Sequence, residues 1–364
     1  MTKEYVSLGL MSGTSGDGID ASVIQSDGEN GYSVISNMYF EYSTDIFQKI
    51  HFLKEKINNF KDLISLSKEI KNVEREITLF HAQIANIVIK ENKRNIDLIG
   101  FHGQTIYHKV SEKISKQLGD GELLSQLTKK NIIFNFREND IKNDGEGAPL
   151  TPIFHKLLKE KFKIGDVAFV NIGGIINETS FINNNMIATD LGPGMCLIDQ
   201  WIRINSTKKI DTDGEIAKSG KINKIILNQA LDIYYENFNY TQQKISKSYD
   251  VKDFDLSFVR GLSLEDGAAT LIEFTANIIS NRYSRKKNEI ILCGGGRKNK
   301  YLIERIKIVD SNLKFIDEYG VDGDFVESQA FAFIAIRSFL GLNISFPNTT
   351  GCTNACTGGT LVSY

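Results

Sequence analysis

Apolar and polar positions alternate in short runs over the first forty or so residues: "YVSLGL", "IDASVIQS" and "YSVISNMYF". Period-two patterning at these lengths predicts strands, and the short spacers predict an antiparallel meander. The period then changes. From Leu63, apolar residues recur at Leu66, Ile70, Val73, Ile77, Phe80, Ile84 and Ile87, the three-four spacing of one long helix with a single apolar stripe. The stripe suits packing on the chain's own sheet, and the same spacing leaves a homodimer through a coiled coil open.

"IDLIGFHGQTIYH" (96–108) and "NIIFNFREND" (131–140) read as buried strands that end in polar loops. "NDGEGAPLTPIFH" holds two of the four prolines and marks a junction between lobes. Residues 1–145 with 330–364 are expected to form lobe one and 146–329 lobe two. The strand-turn-strand pattern then returns in "DVAFVNIGGIINETSFI" and "MIATD". "EIILCGGGRKNKYLIERI" is strand, glycine turn and helix, and "ESQAFAFIAIRSFL" is an apolar helix. The chain thus reads as α/β, with two repeats of strand-hairpin-strand followed by helices.

At 364 residues the chain is long enough for two cores, and its 41% hydrophobic and 24% charged composition is that of a globular protein. A net charge of −2 argues against a dominant nucleic-acid surface or a polybasic membrane patch. No apolar run is long enough to span a bilayer, and "MTKEYVSLGL" lacks the basic and apolar regions of a signal peptide. The expected location is the cytoplasm. The four cysteines, Cys196, Cys293, Cys352 and Cys356, show no CxxC spacing and are expected as free thiols. Cys352 and Cys356 together offer zinc only two ligands. All five histidines precede residue 156, which leaves lobe two without a histidine base and discourages a Ser-His-Asp or histidine-zinc enzyme. "DTDGEIAKSG" (211–220) begins like a calcium loop, but Ile222 stands where the acidic twelfth ligand belongs.

Three glycine clusters each follow a predicted strand: "SGTSGDG" at 12–18, "NIGG" at 171–174 and "CGGG" at 293–296. Glycine turns bring backbone N–H groups close to anionic oxygens. None is a Walker loop or GxGxxG. Three at matching places in two repeats point to a nucleotide held by hairpin turns. Asp17 and Asp20 beside a phosphate site make sense if the ligand is ATP with Mg2+, with Asp17 holding the metal's waters and Thr14 and Ser15 donating to phosphate. They would otherwise stabilise the turn alone. Asp190 in "TDLGPGMCLIDQW" is expected at a strand end, with Pro193 in the first turn of the next helix. A carboxylate so fixed suits a general base, or else a helix cap. His102 and Gln104 of "FHGQT" and Arg137 of "NFRE" are expected at strand ends, where a sugar carboxylate would meet the arginine fork.

The motifs "MSGTSGDGID", "FHGQT", "NFRE", "GEGAPLTPIFH", "NIGGIINET", "TDLGPGMCLID", "DGEIAKSGK", "EFTA", "CGGGRKN" and "ESQAFAF" occur in this order. With them the sequence resembles, nearly end to end, the anhydro-N-acetylmuramic acid kinases of the sugar kinase, Hsp70 and actin superfamily. The resemblance implies a bilobal actin-like ATPase fold of duplicated ribonuclease H-like domains with an interlobe active-site cleft. It implies a first phosphate loop of Gly13, Thr14, Ser15, Gly16, Asp17, Gly18, Ile19 and Asp20, and a second at Asn171, Gly173 and Gly174, with Gly192 nearby. It puts Gly294, Gly295, Gly296 and Asn299 at adenosine, and His102, Gln104, Arg137 and Glu327 around the sugar. The implied reaction takes ATP, water and 1,6-anhydro-N-acetylmuramic acid to N-acetylmuramic acid 6-phosphate and ADP, in recycling of peptidoglycan fragments. Asp190 is the implied base. Gly16 departs from the family's larger apolar residue, "QQKISKS" (242–248) lacks the usual proline, and "TTGCTNACTGG" is unusual. A kinase of another anhydrosugar such as levoglucosan is the alternative, and a non-catalytic sugar sensor or actin-like filament protein is a further one on the same fold.

Overall fold

The protein is described by a computed structural model covering residues 3–237, 248–283, 289–307 and 313–364. Most of "QQKISKS", residues 242–247, lies outside the described residues. The chain forms two compact units, Met1–Ile164 with Asp324–Tyr364, and Gly165–Gly323.

Unit one opens with the predicted meander: β1 (Tyr5–Ser12), β2 (Gly18–Ser26) and β3 (Tyr32–Glu41), all antiparallel. Three helices follow, α1 (Thr44–Lys56), α2 (Phe60–Ser65) and α3 (Ser67–Glu91). Next come β4 (Leu98–Lys109), β5 (Ile114–Leu118), α4 (Gly121–Thr128), β6 (Asn131–Phe134), α5 (Glu138–Lys142) and α6 (Pro152–Lys161). Unit two repeats the opening as β7 (Val167–Ile172), β8 (Ile175–Ile182) and β9 (Asn185–Pro193), again antiparallel. It continues with α7 (Cys196–Asn205), α8 (Glu215–Ser219), α9 (Lys224–Asn237), α10 (Leu264–Tyr283), β10 (Glu289–Cys293), α11 (Lys300–Lys307) and β11 (Leu313–Phe315). The chain then returns to unit one with α12 (Val326–Phe339), α13 (Pro347–Thr350) and β12 (Thr360–Val362).

The strand orders match. In unit one the path is β12-β6-β4-β1-β2-β3, and in unit two it is β11-β10-β7-β8-β9. In each, the meander's first strand pairs in parallel with the strand after the helices, β1 with β4 and β7 with β10. The two units are one topology used twice, the duplicated ribonuclease H-like arrangement. Each has its own core: Leu8, Ile19, Val23, Ile99 and Ile132 in one, and Val170, Ile176, Leu197, Ile272 and Leu292 in the other.

The boundary differs from the one read in the sequence. α6 belongs to unit one because it buries Phe154, Leu157 and Leu158. Phe154 meets Tyr32 edge-on at 5.2 Å and lies 5.8 Å from Phe333. The junction therefore falls after Ile164. The return falls at Asp324, because α12 is a single helix laid on β1, β2 and β4. Gly9 and Gly100 make that approach close. They are register partners on β1 and β4, and a Cβ on either would strike α12 backbone, Ser328 O at 1.9 Å or Phe331 O at 2.4 Å.

The stripe from Leu63 is split. α2 is started by a reciprocal cap between Asn59 and Asp62, and Leu66 leaves helical geometry before α3 begins. The α3 face of Ile70, Val73, Ile77, Ile84 and Val88 packs into unit one's own core.

Candidate active site

In unit one, residues 13–17 join β1 to β2. Gly16 N donates to Gly13 O at 3.1 Å, which closes the turn. Gly16 adopts φ +66° with Ile50 Cγ2 3.1 Å from where a Cβ would sit, so a residue other than glycine would be strained here. Thr14, Ser15 and Asp17 are exposed. Ser15 Oγ donates to Asp17 Oδ1 at 2.6 Å. Ile19 is fully buried in β2. Its side chain belongs to the core, which leaves only its backbone to meet a ligand.

"FHGQT" lies inside β4 and not at its end, because β4 runs on to pair with β5. The pairing of β1 with β4 slips by one residue between Phe101 and Gly103, where Gly103 has φ +72°. The bulge re-aims His102. His102 Nε2 lies 2.9 Å from Arg137 Nη2, and its Nδ1 lies 2.8 Å from Gly103 O. Guanidinium only donates, so Nε2 accepts and Nδ1 carries the proton. Burial, then the Arg137 charge, pushes His102 down to about 3, which fits this neutral tautomer. Arg137 Nη1 donates to Gly147 O at 2.8 Å. The ring of Phe331 lies 4.5 Å from the imidazole, and half-buried Glu327 stands one turn earlier on the same helix.

Gln104 behaves otherwise than expected. It is fully buried, its Oε1 accepts from Ser12 Oγ at 2.6 Å, and its Nε2 donates to Gly13 O and Thr105 O at 3.1 Å each. Those bonds hold the base of the glycine turn. Ser12, which the sequence did not single out, ties the same turn: its Oγ, donating to Gln104, also lies 3.0 Å from Gly18 O and accepts from Tyr42 Oη at 3.1 Å.

In unit two, Gly173 and Gly174 turn β7 into β8. Their carbonyls accept from Gly194, Met195 and Cys196 N at 2.9, 2.9 and 3.2 Å, so the turn satisfies the first amides around the start of α7. Pro193 ends β9, and α7 starts only at Cys196, with no side-chain cap. The expected Pro193 in a first helical turn is therefore corrected. Asp190 sits within β9, 7% exposed, and does not cap α7.

A bulge pairs Ile176 with Gly192 and Asn177 with Asp190. Cross-strand Asn177 Nδ2 then donates to Asp190 Oδ1, and Tyr249 N donates to Asp190 Oδ2 at 2.8 Å. The sequence reading missed both donors. Asn177 was within reach of hairpin register-counting, whereas Tyr249 carried no local signal.

The third turn packs onto the second. A Cβ on Gly294, at φ +82°, would strike Asn171 Oδ1 at 2.2 Å, and one on Gly296 would strike Ile172 Cγ2 at 2.3 Å. Gly295 alone of the three faces open space. Gly192 backs onto the Tyr234 ring, with its Cβ position 3.0 Å from the hydroxyl. Asn299 is 4% exposed; its Oδ1 accepts from Leu302 N at 2.9 Å and its Nδ2 donates to Asp211 O at 3.4 Å. That side chain caps α11.

The family model for anhydro-N-acetylmuramic acid kinase matches residues 5–363. The chain belongs to that family. It is 53% identical to the anhydro-N-acetylmuramic acid kinase of Pelagibacter ubique (strain HTCC1062), with 100% of this chain and 99% of that one covered. It is 36% identical to the enzyme of that name from Rhizobium johnstonii and 34% identical to that of Brucella canis, with 98% of each chain covered in both comparisons. Among solved structures, a ROK hexokinase from Thermus thermophilus is 12% identical with a TM-score of 0.36, covering 93% of this chain and 99% of that one, too distant a likeness to bear on function. Membership makes the chain an enzyme that transfers phosphate to an alcohol group. No helix among the described residues is long and apolar enough to cross a membrane.

Proposed function

We propose that this enzyme uses ATP and water to open the 1,6-anhydro bridge of anhydro-N-acetylmuramic acid and to phosphorylate O6, giving N-acetylmuramic acid 6-phosphate in cytoplasmic recycling of peptidoglycan. The observation that carries the reading is Asp190, a buried carboxylate held inside a strand by Asn177 and Tyr249 N and not used as a helix cap. Asn177 Nδ2 and Tyr249 N, on its two oxygens, hold the plane of the carboxylate. As general base it takes a proton from the water that attacks the anomeric carbon. The bond from that carbon to the bridging oxygen breaks, and O6 is freed to accept the γ-phosphate.

The exposed turn at Thr14, Ser15 and Asp17 supports a role in seating the phosphates, and Gly173, Gly174 and Gly295 support one toward the nucleotide. Asp17 is exposed, which fits a carboxylate that reaches Mg2+ through water; the ion would neutralise charge on the β and γ phosphates. Arg137, oriented by neutral His102, supports recognition of the lactyl carboxylate, with Glu327 nearby on α12 for a sugar hydroxyl.

The test is turnover in ¹⁸O-water with wild type and Asp190→Asn. Label is expected at the anomeric hydroxyl and absent from the phosphate. The variant is expected to bind both substrates and to lose about 10²–10⁴-fold in kcat. Label in the sugar phosphate, or near-normal turnover in the variant, would sink the mechanism.

A further inference from the structure

The sequence offered Cys352 and Cys356 as an incomplete ligand pair. Folding brings a third group to them. Asp140 on α5, 212 and 216 positions earlier, places a carboxylate oxygen beside both thiols, and the three donor atoms lie within 4.8 Å of one another. We propose that Asp140, Cys352 and Cys356 form a zinc site that fastens the C-terminal segment to α5.

The donor set decides the class of ion. Two thiolates with one carboxylate are soft-to-borderline ligands that suit zinc and discriminate against magnesium or calcium. Around a tetrahedral zinc, sulfurs at about 2.3 Å from the metal stand about 3.8 Å apart, so a cluster already drawn within 4.8 Å needs only a small closing of side chains. Asp140 is fully buried, and its two oxygens accept from neutral donors, Gly147 N at 2.6 Å and Thr350 Oγ1. A buried carboxylate gains most from a cation. Cys352 is also buried, whereas Cys356 is half-buried and gives an ion a way in, with water to complete the tetrahedron.

The backbone holds both sides in place without the ion. Glu146 N donates to Thr350 O at 2.8 Å, Thr353 N donates to Asn143 O at 2.9 Å, and Cys356 exchanges two bonds with Ser345 at 3.1 Å each. Zinc would lock this join. The join reaches the sugar-side arginine in two steps, since Asp140 holds Gly147 N and Gly147 O holds Arg137.

The experiment uses the full-length enzyme, reduced, stripped with a chelator and titrated with cobalt as a spectroscopic stand-in for zinc. One equivalent per chain is expected to give a thiolate-to-cobalt charge-transfer band and tetrahedral d–d bands, both erased by zinc. Cys356→Ser, at the half-exposed ligand, is expected to remove the charge-transfer band or halve it with its circular dichroism unchanged, and the Cys352→Ser/Cys356→Ser double variant to abolish it. A reduced wild type that takes up cobalt without a charge-transfer band overturns the site. So does a band that survives unchanged in either variant.

Discussion

Arg137 donates to His102 Nε2 at 2.9 Å, so the histidine of "FHGQT" acts on its surroundings through the arginine of "NFRE", 35 residues later. One N–H of the fork is aimed by the imidazole and another by Gly147 O. Arg137→Ala should remove a charge-assisted bond of about 1.5–3 kcal/mol to the sugar carboxylate. The loss should fall on anhydro-N-acetylmuramic acid and hardly on levoglucosan, which has no carboxylate. Equal losses in kcat/KM for the two sugars would make the arginine structural and would favour the other anhydrosugar.

Asn177→Ala should leave Asp190 in place but free its plane to turn. We expect kcat to fall by roughly tenfold, a fraction of the general-base contribution, with KM for ATP unchanged. Steady-state kinetics checks this, and a variant that lost ATP affinity instead would show that Asn177 serves the glycine turn.

Gly173→Val separates fold from ligand. A Cβ there meets Ile175 O at 3.5 Å and Asn171 Nδ2 at 3.8 Å, which are ordinary contacts. Thermal stability should therefore stay near wild type while ATP binding by calorimetry weakens sharply. Gly294→Ala should do the reverse and lose stability first, because its Cβ strikes Asn171. Intact ATP binding in Gly173→Val would mark that turn as structural only.

Unit one should be acid-labile. Burial lowers His81 to about 4 and His155 to about 3, and burial with the Arg137 charge lowers His102 to about 3, from 6.5. Between those values the unfolded chain binds protons that the folded chain refuses, so stability falls as pH drops through 6.5 toward 4. Each histidine steepens the fall by up to about 1.4 kcal/mol per pH unit. Urea midpoints that stay level from about pH 7 to about pH 5 would contradict this.

Glu178, 1% exposed, accepts from Arg282 Nε at 2.7 Å and Nη2 at 2.9 Å, and from Tyr283 Oη at 2.7 Å. Glu178→Ala strands a partly buried guanidinium and should cost about 3–5 kcal/mol in urea denaturation. A cost near zero would mean that solvent reaches Arg282 freely.

The sequence by itself determined the elements and the family. Alternation, three-four spacing and glycine after a strand are local signals, and they located both meanders, all three glycine turns and α12 to within a few residues. The ordered motifs supplied the rest, including the residues worth watching. What those residues touch was decided by register and packing. Two bulges of one residue aim His102 and pair Asn177 with Asp190. A strand that runs on past "FHGQT" leaves Gln104 buried under the first turn. The partners that matter lie 35, 59 and 104 residues apart in sequence, for His102 with Arg137, Asp190 with Tyr249, and Glu178 with Arg282. Asp140 reaches two cysteines from farther still. Local periodicity carries no information at such separations, because the contacts exist only once strands have chosen their neighbours and helices their seats on the sheet.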